Sequence, residues 1–134
     1  MLKLSKKVDY GLMAISHIAY QQEDKIANTK HIAELYNIPP ELLAKILQRL
    51  AKQGLVVSQN GPKGGYVLAK EPHEITVGEV VKAIEGPIGL VDCYMGNDCR
   101  QIGRCSVRQP IQKIQNSITQ LLDSITIDEI TRLP

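Results

Sequence analysis

Cys93, Cys99 and Cys105 stand with five residues between each pair, in a stretch rich in glycine and charge. An odd number of thiols leaves one without a disulfide partner, so the set points to metal binding, catalysis or redox sensing in a reducing compartment. Zinc knuckles pair cysteines about two to four residues apart. Three thiols on a wider spacing make a cup that suits an iron–sulfur cluster better than a single tetrahedral ion. The tighter three-cysteine motif of radical enzymes is absent. Gly86, Gly89, Gly96 and Gly103 let the backbone fold closely around such a group, and Arg100, Arg104 and Arg108 offset thiolate charge. Buried, inert cysteines are the ordinary alternative, but neighbours such as Asp92, Asn97, Asp98 and Arg100 are not core residues.

The elements that must carry this loop are legible in the apolar spacing. Val8, Leu12, Ile15 and Ala19 recur at helical steps and predict a helix from about 6 to 21, with Ser5 as its N-cap. Asn28 caps a short helix bearing Ile32 and Leu35, which Asn37, Pro39 and Pro40 end. A third helix buries Leu43, Ile46, Leu47 and Leu50 and closes at Gly54. Leu55–Val57 and Tyr66–Leu68 read as two short strands joined by a turn-rich tip. Thr76 and Glu79 open a fourth helix as a capping box. After the cysteine loop come a helix from about 107 to 124 and a second capping pattern at Thr126 and Glu129. The fold class expected is mainly α with a small β-hairpin wing. A winged helix-turn-helix DNA-binding domain fills 1–75, and the cysteine loop plus a C-terminal dimerisation helix fill 76–134.

Charge distribution supports contact with nucleic acid. Net charge is only +2, but residues 25–70 hold six Lys and one Arg against two Glu, a local +5. The third helix occupies the recognition position. Its expected DNA-facing residues are Glu41, Lys45, Gln48, Arg49 and Lys52. Gln59, Asn60 and Lys63 form the wing tip, and Asn28, Thr29 and Lys30 lie at a helix N-terminus that attracts phosphate. The expected partner is double-stranded DNA. A solvated helix face is the bland alternative, and it weakens because helix order and glycine-tipped hairpin agree with the charge. The Gly61–Gly65 segment is no phosphate loop, since no Gly-Lys-Ser/Thr follows. With no Phe or Trp, a stacking platform for single-stranded RNA is also excluded.

Ile111, Ile114, Ile118, Leu121 and Ile125 repeat at alternating three- and four-residue steps, a seam expected to pair with its twin in a homodimer. Two-fold symmetry then calls for a pseudo-palindromic operator. His17, His31 and His73 fall in separate elements and no catalytic constellation stands out, so an enzyme is not expected. No apolar run is long enough to span a membrane. The run from Gly11 to Tyr20 contains His17 and leads into Gln21-Gln22-Glu23-Asp24, a helix rather than a signal peptide. The expected location is the cytoplasm.

Leu4-Ser5-Lys6-Lys7-Val8-Asp9-Tyr10, the wing Asn60-Gly61-Pro62-Lys63-Gly64-Gly65-Tyr66-Val67-Leu68, the start Thr76-Val77-Gly78-Glu79-Val80 and the three-cysteine loop together resemble the Rrf family of bacterial regulators, which includes IscR, NsrR and RirA types. The resemblance covers nearly the whole chain. It implies a homodimeric winged-helix repressor or activator whose cluster-bearing members sense iron–sulfur status, iron, oxidants or nitric oxide. It points less directly to the branch that controls iron–sulfur assembly operons. IscR-like members place a histidine ligand three residues after the last cysteine, where this chain has Arg108, which offers no lone pair. The ligand pattern is nearer the NsrR-like members, which use three cysteines and an acidic residue of the partner subunit. The resemblance carries that role to Asp9 and favours a four-iron over a two-iron cluster. Asp98, water or another thiol are alternatives, and Asp9 also suits a helix N-terminus on dipole grounds alone. A regulator of the same fold with redox-active thiols or zinc and no cluster is the competing reading.

Overall fold

A computed structural model describes residues 4–20, 28–59, 64–87 and 108–132. Ser5 Oγ accepts the amide of Val8 and starts α1 (Lys6–Tyr20). Asn28 caps α2 (Thr29–Tyr36), and Asn37 ends it in the left-handed region at φ 54°. Pro40 occupies the first turn of α3 (Pro40–Lys52), where its missing N–H costs nothing. Gly54 at φ 78° closes α3, its amide bonding Ala51 O while the Leu55 amide bonds Leu50 O. That pair of bonds is a Schellman motif, and it turns the chain straight into the hairpin.

Strands β1 (Val56–Gln59) and β2 (Gly65–Leu68) pair antiparallel, with Val56 opposite Leu68 and Gln59 opposite Gly65. A short 3-10 turn (Pro72–Glu74) leads into α4 (Val77–Glu85), where Thr76 and Glu79 bond reciprocally as a capping box. Lys70 reaches the same Glu79 carboxylate at 3.0 Å. Two further helices follow, α5 (Arg108–Ser124) and α6 (Ile127–Arg132), and Thr126 Oγ1 caps α6 through the Glu129 amide.

One buried cluster joins these elements. It runs from Val8, Ile15 and Ile18 of α1 through Leu43, Ile46, Leu47 and Leu50 of α3 to Val77, Val80, Val81 and Ile84 of α4, and ends at Ile127. Segments 1–75 and 76–134 therefore share a core. Two expected apolar positions behave differently. Leu35 is 55% exposed, because α2 is short and turns Ile32 and Ala33 inward instead. Ile125 continues the heptad step of the C-terminal seam but lies beyond the end of α5. It packs on the core of its own chain, and its carbonyl accepts the Val77 amide.

The junction of α5 and α6 is tied to the start of α4 at several points. The Ile127 amide bonds Ile75 O, and Thr76 bridges Thr126. Gly78 lies so close to Asp123 that a Cβ there would stand 1.8 Å from Oδ1 and 3.2 Å from the Asp123 amide nitrogen. Overpacking of this kind costs about 1–3 kcal/mol, while the helix propensity of alanine returns less than about 1 kcal/mol. Gly78→Ala is therefore expected to lower stability in urea denaturation. An unchanged midpoint would show that α5 yields freely at this contact.

Candidate nucleic-acid interface

Helix α3 is two-sided. Leu43, Ile46, Leu47 and Leu50 are buried, while Glu41, Lys45, Gln48 and Lys52 are exposed. The turn before it is fixed by Ile38, which is buried and donates its amide to Ala33 O. This is a helix-turn-helix with a polar second helix free to enter a groove.

Arg49 departs from the rest of that face. Its Nη1 donates to the carbonyl of Ile84 at 2.6 Å, joining α3 to the last turn of α4. The start of α2 also differs from a bare anion site. The Asn28 side chain itself accepts from the amides of Lys30 at 2.8 Å and His31 at 3.2 Å. Those two N–H groups are therefore already satisfied within the chain. Gln59, expected at the wing tip, is the last paired residue of β1 and is exposed. Asn60 and Lys63 lie outside the described residues, as do Cys93, Cys99 and Cys105.

Asp9 sits in the first turn of α1, half-buried, with no ion pair or side-chain hydrogen bond among the described residues. Among the described residues no three His, Cys, Asp or Glu side chains gather as a metal site. Of the expected pairing seam, Ile114 is 53% and Leu121 60% exposed, while Ile111 and Ile118 are half-buried. None of these four is among the described residues that pack on the core, whereas Leu122 of the same helix is. Helix α5 thus carries one apolar side inward and a second one outward.

A cluster that spacing did not reveal joins α1 to α2. His17 Nδ1 lies 3.0 Å from the Tyr36 hydroxyl, with the two rings edge to face, and the His31 ring centroid is 6.1 Å from that of His17. With Ser16, Tyr20 and Thr131, His17 and Tyr36 line an open groove. Burial first, and the nearby His31 second, hold the His17 imidazole below its ordinary value of 6.5. The unfolded chain then binds a proton near pH 6.5 that the folded chain takes only at lower pH. Stability from this group is complete above that value and falls as the pH drops below it. His17→Gln is expected to flatten the melting temperature against pH on that acid side. The same slope in the variant would contradict this assignment.

No helix among the described residues is long and apolar enough to cross a membrane. The sequence model of the Rrf2 family, described as iron-dependent transcriptional regulators, matches residues 4–132. The transcriptional regulator NsrR of Shouchella clausii is 32% identical over 131 residues, covering 96% of this chain and 88% of that protein. IscR of Pectobacterium atrosepticum is 31% identical, covering 96% of this chain and 79% of that one. Among solved structures, CymR, the global cysteine regulator of B. subtilis, superposes with a TM-score of 0.80 at 31% identity, over 98% of this chain and 97% of that one. T. potens IscR does so with a TM-score of 0.75 at 32% identity, over 96% and 85%. The winged helix-turn-helix and the match along the chain agree: this protein belongs to the Rrf2 family of transcriptional regulators.

Proposed function

We propose that this regulator binds a pseudo-palindromic operator as a homodimer and that an iron–sulfur cluster on Cys93, Cys99 and Cys105 sets its DNA affinity. One observation carries the reading. In a chain whose family is described as iron-dependent, all three cysteines fall between residues 93 and 105. Three thiols fit a cluster as a donor set. When bound, the cluster supplies a group whose loss or change of charge reports on iron, oxidants or nitric oxide.

The roles of the chain's own residues follow from placement. Lys45, Gln48, Glu41 and Lys52 face the groove, and of these Lys45 and Gln48 read base edges. Asn28, Thr29, Lys30, Gln59, Asn60 and Lys63 hold the backbone. Ile111, Ile114, Ile118 and Leu121 pair the subunits. Asp9, half-buried and without a side-chain partner among the described residues, supplies the fourth position to the partner's cluster. Four-iron nuclearity goes with that ligand set. DNA reading stays in 1–75, with cluster and pairing in 76–134, and the protein acts in the cytoplasm.

The test is purification without oxygen, followed by an absorbance spectrum and assays of iron and acid-labile sulfide, on the wild type beside Asp9→Ala. A brown protein with sulfide is expected, and Asp9→Ala should lose its cluster faster in air. Zinc without sulfide would favour the second reading, a regulator whose thiols work without a cluster. The likeness to B. subtilis CymR, the global cysteine regulator, is why this second reading is kept for the test. An unchanged spectrum, cluster lifetime and DNA affinity in Asp9→Ala would leave Asp9 as a helix-start residue only.

A further inference from the structure

Ile84 is where three helices meet. Its side chain is buried, and its Cδ1 lies 2.3 Å from the point where a Cβ on Gly11 of α1 would stand. Ile46 Cγ2 of α3 is 3.4 Å from the same point. The Ile84 carbonyl belongs to the last turn of α4, whose carbonyls lack partners inside the helix. Arg49 of α3 supplies one, a charge-assisted bond at a helix C-terminus. One residue further, the Glu85 carboxylate takes the hydroxyl of Ser5, the residue that caps α1. Gly86 then leaves the helix at φ 82°, and the sequence runs on to Cys93 seven residues later.

We infer that Arg49 is a positioning residue: with Gly11 and Ile84 it forms the joint through which the cysteine-bearing segment sets the placement of the DNA-reading helix. This rests on the function proposed above and adds the route by which the thiols reach α3. Close packing at Gly11 leaves no slack, so a displacement of the end of α4 passes to α1 and α3 instead of being absorbed. The Arg49 guanidinium, donating to a backbone carbonyl in the last turn of α4, ties α3 to that helix end. Arg49 therefore acts on DNA through α4: it is exposed like Lys45 and Gln48 on the same helix, but its guanidinium is engaged by the Ile84 carbonyl.

The experiment compares the wild type with Arg49→Met, Gly11→Ala and the double variant Gly11→Ala with Ile84→Val. Removing Cδ1 of Ile84 clears the space that the new Cβ needs. Each protein is measured on a duplex selected by the wild type from a randomised pool. Two states are used, reconstituted with ferrous iron and sulfide without oxygen, and stripped by chelator. The wild type is expected to differ between states by a coupling of about 5- to 150-fold. In Arg49→Met and Gly11→Ala the ratio should fall toward one, and the double variant should recover most of it. Melting curves and iron content identify any variant that has merely unfolded or failed to load, and the Gly11 pair decides if Arg49→Met does not fold.

A phosphate contact would instead weaken both states equally and lower the salt slope by about one. That result, or a full ratio in Arg49→Met and Gly11→Ala, overturns the inference. If the wild type takes up no iron and sulfide, the cluster reading fails by itself. The same ratio is then read between dithiothreitol-reduced and peroxide-oxidised protein. A wild-type ratio of one in both comparisons overturns the joint as well.

Discussion

Replacing Ile114 and Leu121 together by aspartate is expected to convert a dimer into a folded monomer and to weaken operator binding by about two to four orders of magnitude. Both side chains are more than half exposed, stand seven residues apart on α5, and are not among the described residues that pack on the core. Apolar side chains at that spacing suit the seam between twin helices in the dimer proposed here. A carboxylate placed in that seam loses its water and gains no partner, so the pair separates rather than burying it. A monomer binds one half-site, and the gain from linking two half-sites is lost. Sedimentation or light scattering at about 10 µM, read beside a DNA titration, checks both parts. The inward side of α5, with Leu122 against the core, is untouched, so secondary structure should persist. A dimer that survives both charges would place the subunit contact elsewhere.

The second large effect is expected at the thiols. Cys99→Ser should weaken cluster retention by more than the roughly 10- to 100-fold in affinity that loss of an outer-shell partner costs, read as lost iron and acid-labile sulfide. Serine stays protonated and is a poor iron ligand, and two remaining thiols do not hold a cluster in place of three. Serine differs from cysteine by a single atom, and the described core runs from Val8 to Ile127. The stripped variant should therefore melt within about 2 °C of the stripped wild type, which is the effect of a ΔΔG of under about 0.5 kcal/mol in a domain of this size. Full iron and sulfide in Cys99→Ser would remove that thiol from the ligand set.

Much of the scaffold was legible because its signals are local. Ser5, Asn28 and Thr76 cap helices with their own side chains, and the stripe of Leu43, Ile46, Leu47 and Leu50 follows from helical period alone. What escaped the sequence is set by partners far along the chain. Arg49 is as exposed as its neighbour Gln48, and what sets it apart is its bond to the Ile84 carbonyl, 35 residues away. His17 and His31 sit on different helices, so no spacing rule joins them. Ile125 keeps the heptad step, but the helix ends at Ser124 and the following backbone bonds to α4. Leu35 matches the apolar period of α2, yet a helix of eight residues presents only one turn to the core. The cysteine chemistry rests on spacing, on the polar and charged neighbours and on the family resemblance, and those residues lie outside the described structure.

The central claim, that a cluster on the three cysteines governs DNA binding, is tested most directly on one wild-type preparation made without oxygen. Its affinity for a selected operator is measured before and after the iron is removed by chelator, at fixed salt and with dimer state monitored. The account predicts a change of about 5- to 150-fold that returns on reconstitution with ferrous iron and sulfide. Equal affinity in the loaded and stripped states, with the dimer intact, would contradict it.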